Sequence, residues 1–157
     1  MKRLFGLTTA LIVVWALVPA SASALIQLDR GIAGARLGNT KKQVRAALGT
    51  PTRIRNGTNE FGAFTVFRYA GGIRVTFQGQ QTVTAVETTG LGDRTRRGVG
   101  VRSTESAVQN RVPGVNCETF ESTRICQRGE GLPGQRITAF FLKNGRVTRV
   151  IVGFVID

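Results

Sequence analysis

The side chains that most often carry enzyme chemistry are scarce in this sequence. The 157 residues include nine acidic residues, two cysteines and no histidine. Without histidine, Ser-His-Asp and Cys-His mechanisms and histidine metal sites are excluded. The closest carboxylates, Glu118 and Glu121, lie on a short loop and not across a cleft, as a glycosidase would require. We therefore predict no catalytic residues, no metal ligands, no cofactor and no enzyme activity.

The two cysteines, Cys117 and Cys126, are separated by eight residues. A metal site needs about four ligands, and the chain has neither a third cysteine nor a histidine. An even count with short spacing is typical of a disulfide in an exported protein. We predict that the pair closes a hairpin.

The first 24 residues have the pattern of a secretory signal peptide. A basic start at Lys2 and Arg3 precedes an apolar run that ends in two Ala-x-Ala cleavage sites. We predict cleavage after Ala24, with Ala22 as the second choice, and no transmembrane segment after cleavage. The remaining chain carries 20 basic and 9 acidic residues, a net charge of +11. Export and the absence of an RNA-binding aromatic motif both argue against nucleic acid as the partner.

The densest basic stretch is Asp93-Arg94-Thr95-Arg96-Arg97. One interpretation is a solvated linker, because charge runs often lie on the surface. The other is an anion-binding patch at Arg94, Arg96 and Arg97, because clustered arginines bind phosphate or carboxylate in a bidentate manner. Both interpretations remain open at this point.

A short helix is clearly marked at residues 40–48. Thr40 and Gln43 form a Thr-x-x-Gln capping box, and Gly49 and Pro51 provide the stop signal. The apolar side chains of the helix fall on one face. Because so short a helix is marginal alone in water, we expect that face to dock on a sheet.

The segments that follow predict a three-stranded antiparallel meander. Aromatic, β-branched or alternating residues indicate strands at 64–69, 73–78 and 82–88. Asn56-Gly57-Thr58 is interpreted as a loop turn.

A shift of 64 residues aligns this pattern with the second half of the chain. Thr40 then matches Thr104, and Phe77 matches Phe141. Strands are predicted at 136–142 and 147–156, joined by a turn at Lys143-Asn144-Gly145. We predict α+β architecture, with two tandem repeats of a short helix packed on a three-stranded antiparallel sheet. The boundaries are 1–24 for the signal peptide, 25–89 for the first repeat, 90–97 for the basic linker and 98–157 for the second repeat.

The sheet face turned away from the helices is the predicted contact surface. It would carry Arg68, Arg74 and Arg149, together with Thr76. These residues and the basic stretch at 94–97 are the candidate sites for an anion or a protein partner.

The helix segment resembles a known family motif. Residues 38–51, Gly-Asn-Thr-Lys-Lys-Gln-Val-Arg-Ala-Ala-Leu-Gly-Thr-Pro, resemble the helix motif of the SmpA/OmlA (BamE-like) family, whose fold is a helical start on a three-stranded antiparallel sheet. The tandem arrangement resembles the β-lactamase inhibitory protein fold. The resemblance implies two such units side by side in a secreted protein.

The combined expectation is a secreted, non-enzymatic binding module of the bacterial cell envelope. Its partner would be a protein or an anionic envelope polymer. The alternatives are an inhibitor of a secreted enzyme and an envelope assembly or scaffold protein.

Overall fold

The computed structural model describes residues 25–79 and 81–156. The predicted signal peptide therefore lies outside the described residues. Within them, every helix is too short and too polar to cross a membrane.

Two sheets and two short α-helices make up the fold. The small sheet contains four strands, namely β1 (Leu25–Gln27), β2 (Gly31–Ile32), β3 (Ala35–Arg36) and β8 (Arg94–Thr95). The large sheet contains eight strands, namely β4 (Arg53–Asn59), β5 (Gly62–Arg68), β6 (Ile73–Gln78), β7 (Ala85–Thr88), β9 (Val115–Phe120), β10 (Thr123–Arg128), β11 (Arg136–Lys143) and β12 (Arg146–Phe154). The helices are α1 (Lys41–Leu48) and α2 (Glu105–Arg111).

The large sheet is continuous across both halves of the chain. Its order is β4-β5-β6-β7-β12-β11-β10-β9, and all neighbours are antiparallel. The two halves of the sheet are connected by the pairing of β7 with β12, in which Glu87 lies opposite Ile151. Because β7 and β12 pair with each other, neither leaves an edge of unpaired backbone groups at the centre of the fold.

The predicted fold class is therefore wrong. Each half contributes four strands, and the strands form one eight-stranded sheet instead of two three-stranded ones. Two features escape the sequence pattern. One is the small sheet, whose four short strands are not predicted, and the other is β4, a polar segment in which Asn56-Gly57-Thr58 favours a loop. Its seven residues pair in unbroken register with β5, because ladder hydrogen bonds join backbone groups and need no apolar side chains. The predicted tandem repeat of a short helix on a three-stranded sheet is wrong together with the fold class, whereas the predicted boundaries at residues 89 and 97 stay predictions.

The helix starts follow the predicted capping chemistry. Thr40 accepts a hydrogen bond from the backbone N–H of Gln43, whose side chain accepts one from the backbone of Thr40, so the capping box is complete. Thr104 caps α2 by accepting from the N–H of Ala107. Each helix buries one valine against the sheet, Val44 in α1 and Val108 in α2.

The core lies between one face of the large sheet and a layer formed by the helices and the small sheet. Strand β6 shows the division, since Ile73, Val75 and Phe77 are buried while the residues between them are only half-buried. The small sheet is held to the large one at Asp29, whose backbone N–H donates to the hydroxyl of Thr138 over 2.7 Å. The opposite face of the large sheet is not covered by any described element, and we call it the open face.

Two local predictions in the second half are confirmed. Cys117 and Cys126 lie directly opposite each other on β9 and β10 and form a disulfide. Asn144 and Gly145 form the two-residue turn between β11 and β12, with φ values of 52° and 70°. Positive φ at both positions is what a type I′ hairpin turn requires.

Candidate functional site

The predicted basic linker is anchored to the fold. Strand β8 pairs in parallel with β1, so that Thr95 lies opposite Ile26. Asp93 is buried and accepts a hydrogen bond from the hydroxyl of Thr88. Arg94 is half-buried, and its Nη1 donates to the carbonyl oxygen of Val101 over 2.6 Å. Arg94 therefore holds the following turn in place through one of its guanidinium nitrogens.

Arg96 and Arg97 are exposed and line a cavity of about 380 Å³. The β1–β8 pairing brings the 25–30 segment beside them, and the end of α2 supplies the remaining wall. Four exposed arginines surround the cavity, and we call this group the arginine pocket: Arg30, Arg96, Arg97 and Arg111. The other lining residues are uncharged, namely Leu25, Ile26, Gln27, Leu28, Thr95 and Pro113.

The charges of the arginine pocket are uncompensated within the described chain. No carboxylate lines the cavity, and the ion pairs found among residues 25–79 and 81–156 involve other arginines. Converging guanidinium groups of one sign attract anions, and each offers a planar fork of donors to phosphate or carboxylate. Sequence reasoning found Arg96 and Arg97 but missed Arg30 and Arg111, because no local signal connects positions so far apart in the chain.

The open face carries a second group of arginines. Arg53, Arg68 and Arg74 are register neighbours on β4, β5 and β6, and we call them the arginine row. Glu87 continues the line on β7, opposite Arg74. The sequence pattern predicts Arg68 and Arg74 on this face but not Arg53, because the polar β4 segment gives no strand signal.

Glu87 is the acidic centre of this face. Its Oε1 lies 3.3 Å from Nη2 of Arg74, and its Oε2 lies 3.9 Å from Nη1 of Arg149. The guanidinium carbon of Arg149 also lies 3.9 Å from the ring centroid of Phe141. Arg74 and Arg149 therefore share one carboxylate, whereas Arg53 and Arg68 have no ion-pair partner within the described residues.

A cavity of about 360 Å³ opens at the end of the arginine row. Its lining includes all three arginines of the row and Tyr69. The Tyr69 hydroxyl is buried and finds no hydrogen-bond partner among the described residues. Burial raises the pKa of Tyr69, and the positive charge of Arg45 opposes this shift.

The disulfide region contains the potential metal ligands of the described chain, but these atoms are already engaged. Glu105 lies with Cys117 and Cys126, and their ligand atoms fall within 4.8 Å of one another. Both sulfurs belong to the disulfide. Glu105 is paired with Arg124 through an Nη2–Oε1 distance of 2.5 Å. The hydrogen bond from Arg124 lowers the pKa of Glu105, and the same bond raises the pKa of Arg124.

Comparisons with known proteins show similarity at the level of the fold. No protein-family model matches the chain, and no curated protein matches it either. An extracellular protein containing an SCP domain from Bacillus anthracis matches with a TM-score of 0.51 and 9% identity, over 92% of this chain. The chain spans only 50% of that protein.

Two further solved structures match more weakly. A DUF4309 family protein from Bacillus subtilis has a TM-score of 0.47 and 20% identity, and the match covers 74% of this chain and 78% of that one. A cysteine-rich secretory protein from Staphylococcus aureus has a TM-score of 0.47 and 8% identity, and the match covers 75% of this chain and 44% of that one.

These findings overturn the predicted family resemblance. No family model matches the chain, the first of these structures is a protein containing an SCP domain, and the fold is mostly sheet, with one eight-stranded and one four-stranded sheet. The resemblance of residues 38–51 to the SmpA/OmlA (BamE-like) motif is therefore wrong, and so is the tandem resemblance to the β-lactamase inhibitory protein. The quoted residues encode a capped helix with a glycine stop. Those are general signals of helix ends and do not mark a family.

Proposed function

We propose that the chain is an extracytoplasmic, non-enzymatic binding module that holds an anionic envelope polymer in the arginine pocket. The observation that carries this proposal is the convergence of four exposed arginines on one cavity that no carboxylate lines. Bringing like charges together opposes folding unless other interactions compensate, and a bound anion would supply that compensation.

Three further observations support the extracytoplasmic part of the proposal. The first 24 residues have the pattern of a secretory signal peptide. The disulfide between Cys117 and Cys126 is typical of oxidising compartments. The structurally similar Bacillus anthracis protein is an extracellular one. The absence of histidine from the sequence supports the non-enzymatic part, because it excludes the common triads.

The test is co-sedimentation of the purified chain with isolated bacterial envelopes. Arg96→Gln/Arg97→Gln removes two pocket charges and leaves Arg94, which has a structural contact, unchanged. Lys42→Gln/Lys143→Gln is the matched control, because it removes the same charge from exposed positions elsewhere. We expect reduced retention of the pocket variant and unchanged retention of the control.

Salt provides the second arm of this test. Exposed charges are screened over about 8 Å at physiological ionic strength, so retention of the wild-type chain should fall as salt rises. Equal retention of the two variants, or retention that salt does not change, would contradict the assignment of the pocket.

A further inference from the structure

The outer edge of β4 has no partner among the described strands. β4 is the first strand of the large sheet, and six of its seven residues are exposed. It contains no proline, and its register with β5 is continuous. Natural edge strands are commonly interrupted by proline or bulges, because a free row of N–H and C=O groups is a template for another strand. The β4 edge has neither device.

The β4 edge is protected by charge alone, and the positive charge continues onto the neighbouring strands β5 and β6. Arg53 and Arg55 are alternate residues of β4, so they share the open face, and the Arg55 guanidinium carbon lies 5.9 Å from the Phe64 ring centroid. Charged edge residues alone would be explained as protection against self-pairing. That explanation does not cover Arg68 and Arg74, which lie on interior strands.

The arginine row is unfavourable for the isolated chain. Arg53 lies opposite Arg68, and Arg68 lies opposite Arg74. Neighbouring strands are about 4.8 Å apart, and like charges placed directly opposite each other destabilise a sheet. Glu87 compensates the Arg74 end of the row, so the uncompensated charge is concentrated at the β4 end.

We propose that the β4 edge binds an extended acidic segment of a partner protein as a ninth strand of the sheet. The backbone of the segment would form ladder hydrogen bonds with β4. Carboxylates at alternate positions of the segment would face Arg53 and Arg55 across the new strand pair. This mode of peptide binding obtains affinity from the main chain and specificity from alternate side chains.

Charge complementarity favours this occupant over a second copy of the chain. Two β4 edges placed together would bring arginines against arginines, and each copy has a strongly positive net charge of +13 over its full sequence. The edge at β9 does carry one acidic residue, Glu118. One carboxylate on a strongly basic molecule does not offset that repulsion.

The experiment measures binding of a fluorescent heptapeptide, Thr-Glu-Val-Glu-Val-Glu-Thr, to the full chain by anisotropy at low salt. Arg53→Gln/Arg55→Gln should weaken binding at least about threefold, as expected for the loss of two exposed charge pairs. Arg53→Lys/Arg55→Lys should retain most of the affinity. The Lys42→Gln/Lys143→Gln control should bind like the wild-type chain. Circular dichroism of each variant confirms that the sheet is folded.

Strand addition is separated from simple charge attraction by the peptide backbone. A peptide with alternate amide nitrogens methylated keeps every carboxylate but loses donors to the ladder, and should bind about tenfold more weakly. Amide hydrogen exchange of residues 53–59 should slow when the unmodified peptide binds.

Three results would overturn the proposal. Equal binding of the methylated and unmodified peptides would show that the face attracts any polyanion. Equal binding of the glutamine variant and the control would place the site elsewhere. Concentration-dependent self-association that Arg53→Gln/Arg55→Gln changes would assign the β4 edge to a second copy. Every variant in this experiment leaves the arginine pocket intact, so the proposed function is tested separately by Arg96→Gln/Arg97→Gln.

Discussion

Glu87 offers the sharpest test of the charge distribution on the open face. The change is Glu87→Gln, which keeps the size of the side chain and removes its charge. The Glu87 side chain is 12% exposed, whereas those of Arg74 and Arg149 are each 42% exposed. At an effective dielectric constant of about 20, the gross attraction would be about 5 kcal/mol at 3.3 Å and about 4 kcal/mol at 3.9 Å. Desolvation and side-chain ordering offset most of that attraction.

The free energy of unfolding lost in Glu87→Gln is expected to lie well below these gross attraction energies. Exposed ion pairs contribute about 0.2–1 kcal/mol each, and the low exposure of Glu87 places its two pairs near the upper end. We expect Glu87→Gln to lower the free energy of unfolding by about 1–2 kcal/mol, measured by urea denaturation followed by circular dichroism. Part of this loss is renewed repulsion among the arginines, so the deficit should shrink at about 1 M salt, where the Debye length is about 3 Å.

The matched control is Glu60→Gln, since Glu60 is exposed and lies near the β4–β5 turn. The Glu60→Gln substitution should change the free energy of unfolding by less than about 0.5 kcal/mol. If Glu87→Gln costs no more than Glu60→Gln, then Glu87 does not compensate the arginines. The positive charge of the arginine row would then not be concentrated at its β4 end.

Three further predictions concern other parts of the fold. Cys117→Ala/Cys126→Ala should lower the free energy of unfolding by about 2–3 kcal/mol in chemical denaturation, the chain-entropy value for so short a loop; an unchanged midpoint would contradict a structural role for the disulfide. Gly31→Ala should cost about 3 kcal/mol in the same assay, because its Cβ would lie 1.9 Å from a backbone oxygen of the β2–β3 hairpin. Because Arg124 lowers the pKa of Glu105 below its ordinary value of 4.5, stability from this pair is present above that pH. It is lost as the pH falls through the lowered pKa, so acid titration of the wild-type chain should show a step that Glu105→Gln lacks.

The elements that could be predicted from the sequence depend on neighbours along the chain. The capping box of α1 needs only Thr40 and Gln43, three residues apart. The turn between β11 and β12 needs two consecutive residues that tolerate positive φ, Asn144 and Gly145. Each signal is complete within a few residues, so no knowledge of the rest of the chain was required.

The candidate sites were only partly predictable. Arg96 and Arg97 stood out because they are adjacent in the sequence. Arg30 and Arg111 join them only because β1 pairs with β8 and α2 ends beside that pair. Arg94 belongs to the same basic run, yet its hydrogen bond to Val101 gives it a structural role. Arginines of one short run therefore have different roles, because each role depends on contacts with residues outside that run.

By itself, the sequence determined the helix ends, five strands of the large sheet, the disulfide and the strong positive charge, because local spacing and composition carry those features. Only the tertiary structure decided that the two halves share one eight-stranded sheet and that polar β4 forms its edge. It also decided which arginines meet in the pocket and in the row. The physical reason is that strands are joined by backbone groups common to all residues, so the choice of partner strand leaves little trace in side-chain pattern. Both candidate binding surfaces are products of that choice.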